Sequence, residues 1–534
     1  MALLSVIFLG ILFFGVVGTS VAGLVCLSAG TEPLSRNKGF WWACGICVVG
    51  FILRMWIEPH RFIVYCDEFD YVNVAGNILL KGHLATTVKG GFLAPEVVAH
   101  AHRPGAYSFL LAVLYTMGLD RISAGFLLNT VLGTASIALI YRVAWLFFRD
   151  HAVAAWSAAS LAFLPVHIQY STDAHTNVPA IFFLLLSLFF LAEYHDRGRK
   201  VLLWAGLLAG CFSAYIRPEC GLFLVVGLVI WLGPLSVGNR ALQRQRFDII
   251  FFVGCLLLPL LVQLPQAITF ESESAGRSFV SVHFFLLHVG SNLRYLFLSS
   301  NPGILTGVLF LTGAVIGLRR KEPAVTWLLL WAVAGFILAS SYFAGSFFDH
   351  SLERHILLFM PPFVWLAGLG MGWLCGKAGR GSVYLSGVFV FFLVLSVAGR
   401  VVDHLAWTDM KHRAEIRGVT FSDDIVLMKK VGPLIPEDAY VVHYCPSFIM
   451  TMSPSKALGT PLFLKDDMPQ RIVLFKGYQW YTDPSVRRYL EEAVAANYTC
   501  EQLTKAPVLD AGVVFSADLC QRKPFGRIGP SVRK

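Results

Sequence analysis

Carboxylates and guanidiniums recur in this sequence at the edges of long apolar stretches, where each residue type has a definite chemistry open to it. Asp67 and Glu68 stand side by side ahead of a run of helix-forming residues. A carboxylate so placed can act as a general base toward a hydroxyl. It can equally cap the helix, satisfying free backbone N–H groups and complementing the dipole. Arginine follows apolar sequence at Arg103, beside His102 and Pro104, at Arg217, ahead of Pro218 and Glu219, and at Arg354, beside His355. Its planar, permanently charged fork binds phosphate bidentately. The plainer reading of each arginine alone is a side chain that snorkels to lipid headgroups. Asp173 and Asn177 are four residues apart, a spacing that brings two side chains to one helical face. Asp173 also qualifies as a cap of the following helix. His175 between them has no ligand partner at suitable spacing and reads as a local hydrogen-bonding residue.

The elements that must position these residues follow from periodicity. Tyr71, Val74, Ala75, Ile78 and Leu79 recur at helical spacing, so Asp67 falls at the start of an amphipathic helix that Lys81 and Gly82 terminate. Around it the chain is 56% hydrophobic and 14% charged, with mean hydropathy +0.65, which excludes an ordinary soluble protein. The net charge of +10 lies in short runs between apolar segments and not in one patch, so nucleic acid is not an expected partner. Apolar runs fall near 4–27, 39–57, 122–148, 151–168, 176–194, 201–216, 218–234, 248–266, 303–319, 325–343, 356–375 and 383–402, about twelve spans in all. The N-terminal run lacks a basic leader and is too long for a signal peptide. The basic connectors, such as those holding Arg197, Arg199 and Lys200 or Arg319, Arg320 and Lys321, fall on one side, which the positive-inside rule makes cytoplasmic.

That parity depends on 104–119, an apolar stretch short for a span, read as a helix lying at or dipping into the interface. Loop 58–121 then faces outward, as do Asp173, Arg217, the stretch 267–302 and Arg354. After residue 402 the composition turns polar, with strand-like pieces at 440–443 and 471–475 and a helical piece at 486–496. The expected architecture is an all-α polytopic membrane protein over 1–402, its outer loop 58–121 carrying juxtamembrane helices, with a small α/β extracytoplasmic domain over 403–534. Eleven cysteines lack zinc-site spacing, but Cys500 and Cys520 could pair in an oxidising compartment.

The order of these motifs resembles the GT-C superfamily of glycosyltransferases over roughly 39–375. They run from Asp67-Glu68 with Tyr71 and Ala75, through Arg103-Pro104, the Tyr-Ser-Thr-Asp ending at Asp173, and Arg217-Pro218-Glu219, to Glu353-Arg354-His355 with Pro361. Within it, the chain is most similar to the branch of protein O-mannosyltransferases and aminoarabinose transferases. The resemblance implies a polyprenyl-phosphate sugar as donor, a lipid, glycan or protein hydroxyl as acceptor, and an inner-membrane enzyme with its catalytic face outward. It implies that Asp67, with Glu68 beside it, is the catalytic acid pair. Arg103, Arg217 and Arg354 would then bind the donor phosphate, with Tyr71, His102, Asp173, Asn177 and Glu219 in support. The family usually carries an acid where this sequence has Asn177, so Asp173 is the available substitute, and divalent-metal assistance stays open. The rival reading from another class is a multi-pass transporter or lipid flippase, which the same span count also fits.

Overall fold

In this computed structural model the described residues are 2–28, 38–58, 60, 66–100, 104–221, 280–298, 304–342, 353–406, 421–463, 468–477, 480, 483–505 and 516–523. They fall into two compact units. One comprises Ile7–Ile63 and Ser123–Val401, and the other Met1–Val6, Val64–Ile122 and Val402–Lys534.

The first unit is helical. It contains most of α1 (Ala2–Ser28), then α2 (Lys38–Ile52), which runs on into a π-helical turn, Leu53–Ile57. In the second unit lie α3 (Cys66–Lys81) and α4 (Ala106–Thr116). The first unit resumes with α5 (Ser123–Phe148), α6 (His151–Ala162), α7 (Pro165–Tyr170), α8 (Asn177–Arg197), α9 (Lys200–Ile216), α10 (Val282–Leu298), α11 (Ile304–Arg319) and α12 (Pro323–Ser341). A 3-10 segment, Glu353–Phe359, leads into α13 (Met360–Ala378), and α14 (Ser382–Ala406) follows.

Among the described residues five segments are long and apolar enough to cross a membrane: Val6–Leu27, Ser123–Phe148, Asn177–Arg197, Pro323–Ser341 and Arg354–Val402. The last holds α13 and α14, separated where Gly379 turns to φ 53°. Shorter apolar helices, among them Lys200–Ile216 and Ile304–Arg319, accompany them. Two sequence expectations change here. The run 151–168 is not one span, because Pro165 supplies no N–H and disfavours helix before it, so α6 stops at Ala162 and α7 starts afresh. The stretch 267–302, read as a loop, holds the 17-residue α10, whose His288 and Asn292 disguise it by turning inward to Ser340. The expected spans at 218–234 and 248–266 lie outside the described residues but for 218–221.

Small residues let these helices pack at backbone distance. A Cβ at Gly313 would lie 1.9 Å from the Leu366 carbonyl oxygen, and one at Gly370 would lie 2.3 Å from that of Leu309, so α11 and α13 touch through their glycines. Serines add hydrogen bonds between α8 and α9: Ser187 donates to the Gly206 carbonyl at 2.6 Å and Ser213 to that of Ala180 at 2.7 Å. Glu193, almost fully buried, is neutralised by Arg142 and Arg197.

The second unit is built on a seven-stranded sheet. Its strands are β1 (Ala85–Gly90), β2 (Pro95–His100), β3 (Tyr440–His443), β4 (Lys456–Gly459), β5 (Arg471–Lys476), β6 (Tyr498–Lys505) and β7 (Ser516–Arg522), in the order β2-β1-β4-β3-β5-β7-β6. Strand β3 runs parallel to β4 and β5, and the other pairs are antiparallel. The β1–β2 hairpin was not expected between the helices of loop 58–121. It reverses through Gly90, at φ 115°, where a Cβ would meet the Glu96 backbone at 2.6 Å. Because β1 pairs with β4, residues 64–122 and 402–534 share one sheet and one unit. Helices α15 (Phe421–Val431), α16 (Pro446–Met452) and α17 (Pro484–Asn497) complete the unit. Val442, Leu458, Ile472, Leu474, Leu490 and Val494 meet in its core. Asp483 caps α17, and its hydrogen bonds from Ser485 and from the Val486 backbone hold its carboxyl below the usual range. Cys500 and Cys520, opposite each other on β6 and β7, form a disulfide.

Candidate functional site

The chemistry-bearing residues form two groups, one within each unit. In the helical unit, Asn129 of α5 donates to Asp173 Oδ1 at 3.3 Å and to the His175 carbonyl at 2.7 Å. The His175 backbone N–H donates to the same Asp173 oxygen at 3.2 Å. Asp173 is fully buried in this turn, and the N-cap of α8 is Thr176, so the capping role open to Asp173 in the sequence is not realised. Nor do Asp173 and Asn177 share a helical face, since α8 begins at Asn177. They join through His175, whose Nδ1 lies 3.1 Å from the Asn177 amide nitrogen and 3.3 Å from the Thr176 hydroxyl.

Two of the three candidate arginines, Arg217 and Arg354, converge on this turn. Arg217 ends α9 and forks, donating to the Asn177 side-chain oxygen and, at 3.1 Å, to Glu219. Only 11% of its side chain is exposed, so it points into the helical unit and does not snorkel. Arg354, in the 3-10 segment, places Nη1 3.4 Å from His175 Nε2. Arg217 and Arg354 thus lie around Asn177 and His175, with the Glu219 carboxylate on Arg217. Such a pair of forks is suited to a phosphate.

The other group lies on α3. Asp67 is the second residue of the helix, inside its first turn, and is half-buried; Glu68 beside it is fully buried. One turn on, Asp70 accepts from Ser447 of α16 at 2.7 Å, and Tyr71 packs edge-on against Tyr107 of α4 at 5.3 Å. The face that carries Asp70 is also fastened to β1. Asn77 donates to the Ala85 carbonyl at 2.8 Å and to Thr87 at 2.9 Å, while Asn73 accepts from the Thr87 backbone at 2.7 Å. Helix α4, with eleven residues, rises about 16 Å, roughly half a hydrocarbon core. His102 and Arg103 lie outside the described residues.

The profile of the dolichyl-phosphate-mannose-protein mannosyltransferase family matches residues 102–268. An uncharacterized protein of Aquifex aeolicus (strain VF5) is 24% identical over 196 residues, 36% of this chain and 37% of that one, so the match spans little more than a third of that relative. Solved structures extend the likeness along the chain. ArnT from Cupriavidus metallidurans, bound to undecaprenyl phosphate, superposes with a TM-score of 0.56 at 14% identity, covering 90% of this chain and 98% of that one. This chain has the GT-C fold. The apo form of the same ArnT gives 0.55 at 14% identity, over 89% and 97% of the two chains. A more distant GT-C match, the apo oligosaccharyltransferase of Archaeoglobus fulgidus, gives 0.51 at 11% identity, over 87% and 69%.

Sequence reasoning missed three polar residues that underlie the Asp173 turn: Asn129, Arg54 and Arg400. Arg54 carried a signal, being the one charged residue in the apolar run 39–57. Asn129 had none, because a single amide in a long helix is unremarkable until its partner is known. Among the described residues, no three His, Cys, Asp or Glu side chains gather as a metal-binding set.

Proposed function

We propose that this chain is a membrane glycosyltransferase that moves a sugar from a polyprenyl-phosphate donor to a hydroxyl acceptor. The observation that carries the reading is the convergence of two guanidiniums on one turn, Arg217 bonded to Asn177 and Arg354 Nη1 3.4 Å from His175 Nε2. Support comes from the fold shared with ArnT, a protein whose structure holds undecaprenyl phosphate. In this reading the acceptor oxygen attacks the anomeric carbon, the bond from that carbon to the phosphate oxygen breaks, and configuration inverts. Asp67 takes the acceptor's proton, with Glu68 beside it. Arg217 and Arg354, joined by Arg103, stabilise the charge that grows on the departing lipid phosphate, each well-placed donor contributing about 3 kcal/mol. Tyr71, His102, Asp173, Asn177 and Glu219 are assigned to orientation. The same reading has about twelve spans in a bacterial inner membrane, the reaction on the periplasmic face, and 403–534 as an extracytoplasmic domain.

The test is direct. Protein purified in nanodiscs should bind undecaprenyl phosphate in preference to a phosphatidic acid control. Incubated with polyprenyl-phosphate sugars and membrane extract, it should yield a glycosylated product by mass spectrometry. Indifference to the polyprenyl chain, with no transfer from any such donor, would sink the proposal.

A further inference from the structure

Beneath the Asp173 turn lies a fully buried guanidinium that the mechanism does not use. Arg54 sits in the π-helical turn that follows α2, and among the described residues every acceptor it reaches is uncharged. Nη1 donates to the Gly50 carbonyl at 2.7 Å and the Ala162 carbonyl at 3.2 Å. Nη2 donates to the Leu161 carbonyl at 3.4 Å and approaches His167 Nδ1 at 2.7 Å. Nε donates to the Ser171 hydroxyl at 3.2 Å. Ala162 and Leu161 end α6, where the helix dipole is negative, so the charge is placed where backbone can partly answer it.

The surroundings are shaped to admit this side chain. At Gly50 a Cβ would lie 3.2 Å from Nη1 and 2.3 Å from Ile137 Cδ1; at Gly133 it would lie 2.3 Å from Ser171 Oγ. A π-turn adds one residue to the helical circuit and so re-aims the side chains it carries, a feature frequent at functional sites. From another side, Arg400 of α14 donates through Nε and Nη2 to Gln169 Oε1, at 3.1 and 2.7 Å. The carbonyl of Ser171 in turn accepts from Thr130 at 3.2 Å. Helix α7 and the residues after it are therefore gripped by two buried arginines just before the chain reaches Asp173 and His175. A buried cation without a carboxylate partner is costly inside a membrane and is uncommon there unless it serves a site.

We propose that Arg54, assisted by Arg400, is a positioning residue. Its fork fixes α7 and the turn after it, and through that turn fixes His175 and Asn177 against the phosphate-binding arginines. The inference rests on the transferase reading for its purpose but not for its geometry, and the experiment separates the two.

Hydrogen–deuterium exchange on the full chain in nanodiscs should show peptides covering 165–177 exchanging about 10-fold faster in Arg54→Gln, with α5 and α8 unchanged. The same variant should bind undecaprenyl phosphate about 10-fold more weakly, since misplacement by an ångström is felt at a preorganised site. Arg54→Lys keeps the charge but not the fork and should behave like Arg54→Gln. Should Arg54→Gln fail to fold, Gly133→Ala, which displaces Ser171 and leaves Arg54 in place, is expected to give the same pair of changes. Unchanged exchange and affinity in the folded variant, or full recovery by Arg54→Lys, would overturn the proposal. If the native protein shows no affinity for undecaprenyl phosphate while the exchange response persists, the clamp stands and the transferase reading falls.

Discussion

The guanidinium of Arg217 donates to the side-chain oxygen of Asn177, tying the end of α9 to the first residue of α8. Its other arm takes Glu219 at 3.1 Å, so the fork is oriented by partners on both sides. An arginine fixed in this way is prepared to stabilise charge without reorganising. Arg217→Ala should therefore lower transfer by about 10²-fold in kcat/KM, the scale seen when a preorganised donor is removed. Arg217→Lys should recover only part of it, because an ammonium cannot serve two partners in a planar fork. Steady-state kinetics of both variants decide this, and unchanged kinetics would make Arg217 a purely structural tie.

Asp67 in the first turn of α3 leads to a different expectation. If it is the general base, Asp67→Asn keeps the helix and the shape of the side chain but removes the proton acceptor. Transfer should fall by about 10²- to 10⁴-fold while affinity for undecaprenyl phosphate changes little. Measured side by side, a parallel loss of affinity would point to a folding or binding role in place of proton transfer.

The disulfide between Cys500 and Cys520 closes a 20-residue separation across the β6–β7 pair. Replacing both cysteines by serine should cost the sheet unit about 3 kcal/mol, chiefly through the freer unfolded chain. Thermal melting with and without reductant tests it. Equal melting temperatures would show that the β-ladder alone holds these strands.

Gly313 and Gly370 offer a packing test. A methyl group at Gly313 would lie 1.9 Å from a backbone oxygen, which cannot swing away as a side chain can. Gly313→Ala should destabilise the helical unit by about 2 kcal/mol, seen as a lowered melting temperature in detergent. Gly376, whose Cβ would meet nothing within 4 Å, is the control site, and Gly376→Ala should be neutral or slightly stabilising.

Much of this was legible in the order of residues. Tyr71, Val74, Ala75 and Ile78 announced α3, and Gly82 its end, because period and terminator are local properties. The strand-like pieces at 440–443 and 471–475 were equally plain, and β3 and β5 begin there at Tyr440 and Arg471. The GT-C fold was readable from the sequence of motifs, although each motif alone was weak.

What composition and periodicity determined by themselves was a membrane protein with acids and arginines at the ends of apolar helices, since hydropathy and helical period are written along the chain. What only the tertiary structure decided was partnership. Nothing local shows that Lys89 and Gly90 of β1 pair with Leu458 and Ala457 of β4, far along the chain. Nor does anything local show that Asp173 turns to Asn129 instead of capping α8, or that the charge in run 39–57 lies under the turn before Asp173. Those pairings depend on which helices approach closely, and that is set by shape: two glycines between α11 and α13, two more around Arg54. A glycine in sequence is only a missing side chain until the neighbour that fills its place is known.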